Sequence, residues 1–311
     1  MEFAHTPVLL NETIAALDIK PYGTYVDCTL GGGGHSYEIA KRLISGGRLI
    51  CIDRDLDAIA AASKRLEEYA DRTTIIKDTY EHLFILLERL EVERVDGILL
   101  DLGVSSYQLD DPQRGFSFMD PKAPLDMRMD RDEAFSAYDV INTYDKAELA
   151  RVFREYGEEK FAQNIANHII ERRAKKPIET AGEFAETIRS AIPAKIRNKK
   201  AHPEARVFQA VRIECNRELT QLRESLGAMI DLLEMGGVLA VITFHSLEDR
   251  IVKDIFRDAQ YPCICPPEFP VCTCGRRSKG KALRKPVVAS CEELKANPRA
   301  RSAKLRTFTR I

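Results

Sequence analysis

Short apolar runs alternate with amphipathic stretches through the first hundred residues of the chain. Runs rich in aliphatic and β-branched residues predict buried strands over 22–30, 48–53, 73–77 and 95–101. Apolar residues at helical spacing predict helices over 7–18, 37–44, 55–70 and 81–91. This alternation is typical of right-handed βαβ units, so we expect a parallel sheet with helices on both faces.

The pattern changes after the fourth predicted strand. Residues 110–135 are rich in Pro and Asp and show no period, and residues 136–223 show only helical spacing, interrupted by prolines. A buried strand is predicted again over 236–245, followed by a helix over 246–258 and a last strand over 305–311. The chain therefore returns to the sheet after a long helical excursion.

The expected fold is α/β and Rossmann-like, a mostly parallel sheet with an all-helical insertion domain. We predict that residues 1–109 and 215–311 form the core and that residues 110–214 form the insertion, which would recognise the substrate. The 311 residues, 44% of them hydrophobic, are enough for a large domain with a second one inserted in it. No uncharged apolar run reaches about 18 residues, so we expect no membrane span.

Charge and cysteine usage narrow the class of protein. The first residues lack the basic-then-apolar layout of a signal peptide, and the eight cysteines are mostly scattered, so we expect a reduced, cytoplasmic protein. The net charge is −1, but residues 271–311 carry twelve Lys and Arg against two Glu, and residues 168–206 carry ten against five. Two basic regions on a neutral chain fit a polyanionic partner, or alternatively two solvated surfaces.

A glycine-rich turn follows the first predicted strand, in the stretch VDCTLGGGGHS at 26–36. In doubly wound folds this turn lies at the carboxyl edge of the sheet and approaches a cofactor. The stretch has no Lys, which argues against a P-loop, and it meets the GxGxxG pattern of NAD sites only loosely. Asp53 ends the second strand twenty residues beyond Gly33, where a carboxylate can accept hydrogen bonds from ribose hydroxyls of either NAD or S-adenosylmethionine (SAM).

The fourth predicted strand ends in Asp101, beside the first strand at the switch point of such a sheet. A carboxylate there suits the amino group of SAM or an exocyclic amine of a substrate, so the residues favour a methyltransferase. Two alternatives stay open: an NAD-dependent oxidoreductase with a helical substrate domain, and a non-catalytic RNA- or DNA-binding module. SAM, but not NAD, should raise the melting temperature if the first interpretation holds.

Eight motifs, in order along almost the whole chain, resemble those of the RsmH (MraW) family. They are HTPVLLNE at 5–12, GGGGHS at 31–36, DLGVSSYQLD at 101–110, RGFSF at 114–118, PLDMRMD at 124–130, FQAVRIECNREL at 208–219, TFHSLEDRIVK at 243–253 and NPRARSAKLR at 297–306. The resemblance implies a class I SAM-dependent methyltransferase core with a helical insertion. It also implies an enzyme of rRNA processing that methylates N4 of a cytidine in the decoding region of 16S ribosomal RNA.

The family's cofactor site, carried over by motif, falls on seven positions. They are Gly33, Gly34, His35, Asp53, Tyr80, Asp101 and Gln108. Asp101 is also our candidate catalytic residue, as the acceptor of a hydrogen bond from the amine. Neither a metal nor a cysteine intermediate is needed for that step. The expected partner is 16S rRNA or the small ribosomal subunit; a homodimer is compatible with the sequence, which does not fix the oligomeric state.

Two further groups of residues are candidates for contacts with RNA or metal. Phosphate binders are expected in the C-terminal basic segment and in the insertion, at Arg172, Arg173, Lys175, Lys176, Lys195, Arg197, Lys199 and Lys200. Glu204 places a negative charge in a loop expected to face the RNA. The stretch from Cys263 to Cys274 holds four cysteines with one residue between the members of each pair, which leaves zinc binding, free thiols and a redox-labile loop open.

Overall fold

The computed structural model describes residues 7–193, 203–266 and 268–311. The chain divides into two compact units. The sheet unit consists of the described parts of Met1–Gly103 and Leu219–Ile311, and the helical unit consists of those of Val104–Glu218. Within the described residues, no helix is both long enough and apolar enough to cross a bilayer.

The sheet unit is built on eight strands. In chain order they are β1 Thr24–Asp27, β2 Arg48–Asp53, β3 Thr73–Lys77, β4 Val95–Asp101, β5 Leu233–Thr243, β6 Gly280–Ala282, β7 Val287–Val288 and β8 Lys304–Arg310. Their order across the sheet is β3-β2-β1-β4-β5-β8-β6, and β7 pairs with β8. Strands β1 to β5 run parallel to one another and β8 runs antiparallel to β5. The predicted mostly parallel sheet is confirmed.

Thirteen helices are described. In chain order they are α1 Leu10–Leu17, α2 Gly34–Ala40, α3 Leu56–Arg65, α4 Leu83–Arg89, α5 Ser106–Asp110, α6 Ala137–Thr143, α7 Lys146–Glu155, α8 Ala162–Arg173, α9 Ala181–Ala191, α10 Pro203–Cys215, α11 Glu218–Leu232, α12 Ser246–Gln260 and α13 Cys291–Ala296. Helices α5 to α10 belong to the helical unit. The described residues from 136 to 223 form helices and connecting turns, as their spacing predicts.

The interior of the sheet unit explains why its strands read as continuous apolar runs. In β2 the side chains from Leu49 to Ile52 are at most 1% exposed, because the strand is covered on both faces. The helical unit has its own core, in which Phe184 and Phe208 stack with ring centroids 5.0 Å apart. Some of its helices begin at side-chain caps; Asp145, for example, accepts from the backbone N–H of Glu148 at 2.8 Å.

Several predicted bounds are wrong by a few residues. The first strand is shorter than predicted, since it covers only Thr24–Asp27. Helix α2 begins at Gly34, three residues before the predicted start, so the last of the four glycines lies inside the helix. The predicted helix over 55–70 ends at Arg65, and a 3-10 turn follows it. Helix α5, strands β6 and β7 and helix α13 are too short to show a period in the sequence.

Candidate active site

The carboxyl ends of the parallel strands place four acidic or polar positions on one edge of the sheet unit. Asp27 ends β1, Asp53 ends β2 and Asp101 ends β4, while His245 follows β5. The chain builds outward from β1 to β3 on one side and from β4 to β5 on the other. Ligands of doubly wound sheets bind at such a switch point, because the loops leaving adjacent strands diverge there.

The glycine loop is tied directly to the second strand. The backbone N–H of Gly31 donates to Asp53 Oδ2 at 2.7 Å, and the N–H of Asp55 donates to Asp53 Oδ1 at 2.9 Å. Burial raises the pKa of Asp53, and these two N–H donors oppose that shift. Each carboxylate oxygen has a second acceptor site, so the fixed carboxylate can still bind hydroxyl donors.

Different physical reasons favour glycine at different positions of the loop. Gly31 and Gly33 have left-handed φ values of 48° and 73°, which favour glycine. A Cβ on Gly33 would lie 3.0 Å from Ala62 Cβ, and a Cβ on Gly34 would lie 2.2 Å from Pro7 Cγ. A Cβ on Gly31 would meet its first neighbouring atom only at 3.9 Å. The bare backbone of Gly33 and Gly34 therefore faces protein, and the open side of the loop is at Gly31.

Asp27 is a site residue to which the sequence analysis assigned no role. Its side chain is 1% exposed and accepts hydrogen bonds from Ser36 Oγ at 2.7 Å and from the backbone N–H of Thr29 at 3.1 Å. Burial raises its pKa to about 6, although both donors oppose the shift. The signal available in the sequence is its position, since it ends the first strand as Asp53 ends the second.

Asp101 ends β4 and is the one of these three carboxyl groups that has a buried oxygen without a partner among the described residues. Its backbone N–H donates to Thr29 Oγ1 at 2.6 Å, which fixes the tip of β4 to the glycine loop. Its Oδ1 atom is buried and has no hydrogen-bond partner among the described residues. Burial raises the pKa of Asp101 well above its usual range, and the negative charges of Asp27 and Glu248 raise it further. A buried acceptor without a partner is costly, which indicates that a donor from a ligand belongs there.

His35 lies next to the side chain of Asp101 and is 5% exposed. Its Nε2 is 3.1 Å from the carbonyl oxygen of Val8, and because a carbonyl only accepts, Nε2 carries a proton. Its Nδ1 lies 3.6 Å from Asp101 Oδ2, outside hydrogen-bond distance. The imidazole thus presents its second nitrogen to the carboxyl group predicted to be catalytic.

His245 and Glu248 close the same edge from β5. Glu248 is 2% exposed and accepts from the backbone N–H of Phe244 at 2.8 Å, as part of the cap of α12. His245 Nδ1 accepts from the backbone N–H of Glu248 at 3.5 Å. This structural role for His245 agrees with its position as the first residue before the helix. Glu248, which the sequence analysis did not consider, contributes the negative charge that acts on Asp101.

Two predicted cofactor residues, Tyr80 and Gln108, belong to different units. Tyr80 is buried in a 3-10 turn that follows β3, in the sheet unit. Gln108 belongs to α5 of the helical unit, where its Oε1 accepts from the backbone N–H of Ser105 at 2.9 Å. The structure thus brings together the glycine loop, His35, Asp53 and Asp101. The roles of Tyr80 and Gln108 in cofactor binding stay predictions.

The charge of this edge fits a cationic cofactor. The pKa values of Asp27, Asp53 and Asp101 are all raised, in each case mainly by burial. Carboxyl groups crowded in this way are stabilised in their ionised form by a nearby positive charge. SAM carries a sulfonium and an ammonium group, and its ribose supplies hydroxyl donors. The crowded carboxyl groups of this edge and the fixed Asp53 carboxylate therefore fit SAM.

Several predicted phosphate binders of the helical unit bind carboxylates or backbone carbonyls of the same unit. Arg172 pairs with Glu186 at 3.0 Å and Lys176 pairs with Glu179 at 3.1 Å. Arg173 donates to two backbone carbonyls at 2.6 Å each. The predicted binders Lys195, Arg197, Lys199 and Lys200 lie outside the described residues.

The position of Glu204 differs from the predicted one. It was expected in a loop that faces RNA, but it lies in the first turn of α10 and is 4% exposed. Its Oε1 accepts a hydrogen bond from Arg189 Nε. A carboxylate buried against a guanidinium is an internal ion pair, so its charge is not directed at an RNA partner.

The C-terminal basic segment divides into paired and unpaired cations. Lys304 and Arg306 bind Asp249 at 3.1 and 2.6 Å, and Lys279 binds Asp231 at 2.7 Å. Other members are exposed and form no ion pair with any described residue: Arg276, Arg277, Lys281, Arg284 and Lys285. These five cations leave a positive surface available to a polyanion.

Comparisons with known proteins show what the chain is similar to. The model of the MraW methylase family matches residues 2–311. The chain is 57% identical to the ribosomal RNA small subunit methyltransferase H of Lachnospira eligens, over 100% of this chain and 99% of that protein. It is 53% identical to the protein of the same name from Clostridium botulinum strain Loch Maree, over the full length of both. Among solved structures it is similar to a putative rRNA methylase from Clostridium thermocellum, with 13% identity, a TM-score of 0.46 and 99% and 100% of the two chains covered.

Proposed function

The chain belongs to the MraW methylase family, and from this premise we propose that it transfers a methyl group from SAM to small-subunit ribosomal RNA. Within that RNA, the proposed target is N4 of a cytidine in the decoding region of 16S rRNA. Membership of a methylase family sets aside the oxidoreductase and the non-catalytic binding module. A ribosomal substrate also implies that the enzyme acts in the cytoplasm.

The observation that carries the proposed chemistry is the buried, unpartnered Oδ1 of Asp101 at the tip of β4. A cytosine exocyclic amine is a weak nucleophile, because its lone pair is conjugated with the ring. Asp101 would accept a hydrogen bond from N4–H, orient the amine and take up the proton that is released. A carboxyl group whose pKa is raised is a better proton acceptor than an ordinary aspartate.

SAM supplies an electrophilic methyl group on a good leaving group. The residues proposed to hold it are Asp53, through the ribose hydroxyls, and the glycine loop, whose open side is at Gly31. Gly33 and Gly34 would contribute by shaping the loop, since the N–H of Gly33 donates to the carbonyl of Leu30 at 2.8 Å. His35, whose Nδ1 faces Asp101 Oδ2, would help to position the Asp101 side chain.

The RNA is proposed to contact the exposed cations of the C-terminal basic segment. Arg276 and Arg277 begin this segment, and neither has an ion-pair partner among the described residues. Phosphate contacts would hold the RNA, while the target base leaves its stack to reach Asp101. This division explains how a chain with a net charge of −1 can bind a polyanion.

The test is to map methylated nucleotides in small-subunit RNA from cells with and without this protein. We expect one cytidine to lose its N4-methyl group in the deletion strain and to regain it when the wild-type chain is supplied. An unchanged methylation map would contradict the proposed substrate. In vitro, SAM should raise the melting temperature of the protein and NAD should not.

A further inference from the structure

A cluster of four cysteines lies in the segment between α12 and β6 and includes none of the residues assigned to methyl transfer. It consists of Cys263, Cys265, Cys272 and Cys274. Their four sulfur atoms all lie within 4.8 Å of one another. All four residues are free cysteines, so the proximity is not explained by disulfide bonds.

The distances between the sulfur atoms match the edges of a tetrahedron around one metal ion. Cys272 Sγ lies 3.5 Å from Cys263 Sγ, 3.9 Å from Cys265 Sγ and 3.5 Å from Cys274 Sγ, and Cys274 Sγ lies 3.9 Å from Cys263 Sγ. A zinc ion with Zn–S bonds of about 2.3 Å places its four sulfur ligands about 3.8 Å apart. A disulfide needs about 2.05 Å, so these sulfurs are spaced for a shared ion rather than for a bond.

The backbone around the cluster is arranged to present the sulfur atoms. The N–H of Thr273 donates to Cys265 Sγ at 3.3 Å, which orients that ligand in the way that outer hydrogen bonds orient metal ligands. Gly275, directly after the last cysteine, has a left-handed φ of 68°, and no atom would lie within 4 Å of a Cβ there. The chain can therefore turn away sharply once the fourth ligand is in place.

The segment has little else to hold it in one conformation. Ile264, Phe269 and Val271 are 65%, 52% and 70% exposed, so the apolar side chains of the segment bury little surface. Between residues 262 and 278, the described residues form one backbone–backbone hydrogen bond, from the N–H of Phe269 to the carbonyl of Pro266. A segment without a core usually needs a cross-link or a metal to order it.

We propose that Cys263, Cys265, Cys272 and Cys274 bind one Zn²⁺ ion as a structural site. Four thiolates are the ligand set of closed structural zinc sites, which leave no position for water or substrate. The last ligand, Cys274, lies two residues before Arg276. Zinc would therefore also fix the position of Arg276 and Arg277, the first cations of the C-terminal basic segment. The proposal does not depend on the methyl-transfer chemistry and can fail or hold independently of it.

The experiment measures metal in the full chain, purified without a polyhistidine tag and without added metal. If the proposal holds, we expect about one zinc and almost no iron per chain by inductively coupled plasma mass spectrometry. The variant Cys272→Ser should lose most of the zinc. The matched control is Cys291→Ser, which removes an exposed cysteine outside the cluster and should keep the wild-type zinc content.

A second measurement uses the wild-type chain alone, so the test does not depend on how the variant folds. Alkylation followed by peptide mass spectrometry should show the four cluster cysteines protected with zinc bound and reactive after chelation. Co²⁺ added to the stripped protein should give the visible absorption of a tetrahedral tetrathiolate site. Disulfides between the cluster cysteines, iron in place of zinc, or equal zinc loss in Cys291→Ser would each overturn the proposal.

Discussion

His35 Nδ1 lies 3.6 Å from Asp101 Oδ2, while Nε2 of the same ring binds the carbonyl of Val8 at 3.1 Å. Because Nε2 must donate to that carbonyl, Nδ1 of a neutral ring has no proton and faces a carboxyl group whose pKa is raised. The His35 ring, next to the glycine loop, therefore presents an acceptor nitrogen to the carboxyl group of Asp101.

We expect the rate of methyl transfer to depend on pH through Asp101. The group can accept a proton only when it is ionised, so the rate should fall on acidification at a pH above the ordinary carboxyl range. The pKa of Asp101 is raised mainly by burial, and further by the negative charges of Asp27 and Glu248. A pH profile of kcat/KM for the wild type and for Asp27→Asn checks this, because removing one negative charge should move the acid limb of the variant to lower pH. Identical profiles would contradict it.

The stability of the protein should also depend on pH through Asp27. In the folded protein the pKa of Asp27 is about 6, above the ordinary aspartate value of 3.8. The stability that Asp27 contributes is therefore present below the lower value and is lost as the pH rises through about 6. The variant Asp27→Asn stays neutral at both ends of this range. Between pH 4 and pH 7.5, the difference in the free energy of unfolding between the variant and the wild type should therefore shift in favour of the variant by on the order of 2 to 3 kcal/mol.

Urea unfolding of both proteins across this pH range measures the effect of Asp27. Asp71→Asn is a suitable control, because Asp71 is exposed and Arg72 lowers its pKa. Its effect should be smaller and opposite in direction. A difference between the wild type and Asp27→Asn that does not change with pH would show that Asp27 has an ordinary pKa.

The last glycine of the loop should tolerate no side chain. In Gly34→Ala the new Cβ would lie 2.2 Å from Pro7 Cγ, so the loop or α1 must shift, and the free energy of unfolding should fall by about 1 to 3 kcal/mol. SAM binding, followed by calorimetry, should weaken as well. Gly227→Ala is the matched control: no atom lies near the new Cβ in α11, and alanine favours a helix by up to about 1 kcal/mol. Equal behaviour of the two variants would rule out this packing role.

Binding of RNA should depend on the first two cations of the basic segment. The double variant Arg276→Ala and Arg277→Ala removes two exposed charges without breaking an ion pair among the described residues. If both contact phosphates, the slope of log affinity against log salt should become shallower by about 1.4 to 1.8. Arg42→Ala, which removes an exposed cation paired with Glu38 on α2, should leave the slope unchanged. A double variant with the wild-type slope would place the RNA elsewhere.

The sequence predicts most of the sheet unit, because buried parallel strands read as uninterrupted apolar runs. Strands β2, β3 and β4 have the predicted bounds, 48–53, 73–77 and 95–101. The start of α2 could not be predicted, since the helix begins at Gly34 with a glycine before it and no side-chain cap, and neither glycine gives a helical signal. Strands β6 and β7, of three and two residues, form only because β8 is available to pair with them.

The candidate site could be predicted in part. Asp53 and Asp101 are visible as carboxylates at strand ends, and the structure places both beside the glycine loop. Asp27 and Glu248 were missed, because each looks like an ordinary strand end or helix cap until its burial is known. Glu204 was misplaced for the same reason, since its pairing with Arg189 joins two different helices.

Turnover by Asp101→Asn tests the central claim most directly. The variant keeps the size of the side chain but cannot take up a proton, and Asp96→Asn, at the opposite end of the same strand, is its control. Methylation of small-subunit RNA is measured at SAM and RNA concentrations shown by calorimetry to saturate each protein. We predict that kcat falls by about 100-fold or more in Asp101→Asn, as expected for loss of a general base, and stays near the wild-type value in Asp96→Asn. A wild-type kcat in Asp101→Asn would contradict the account.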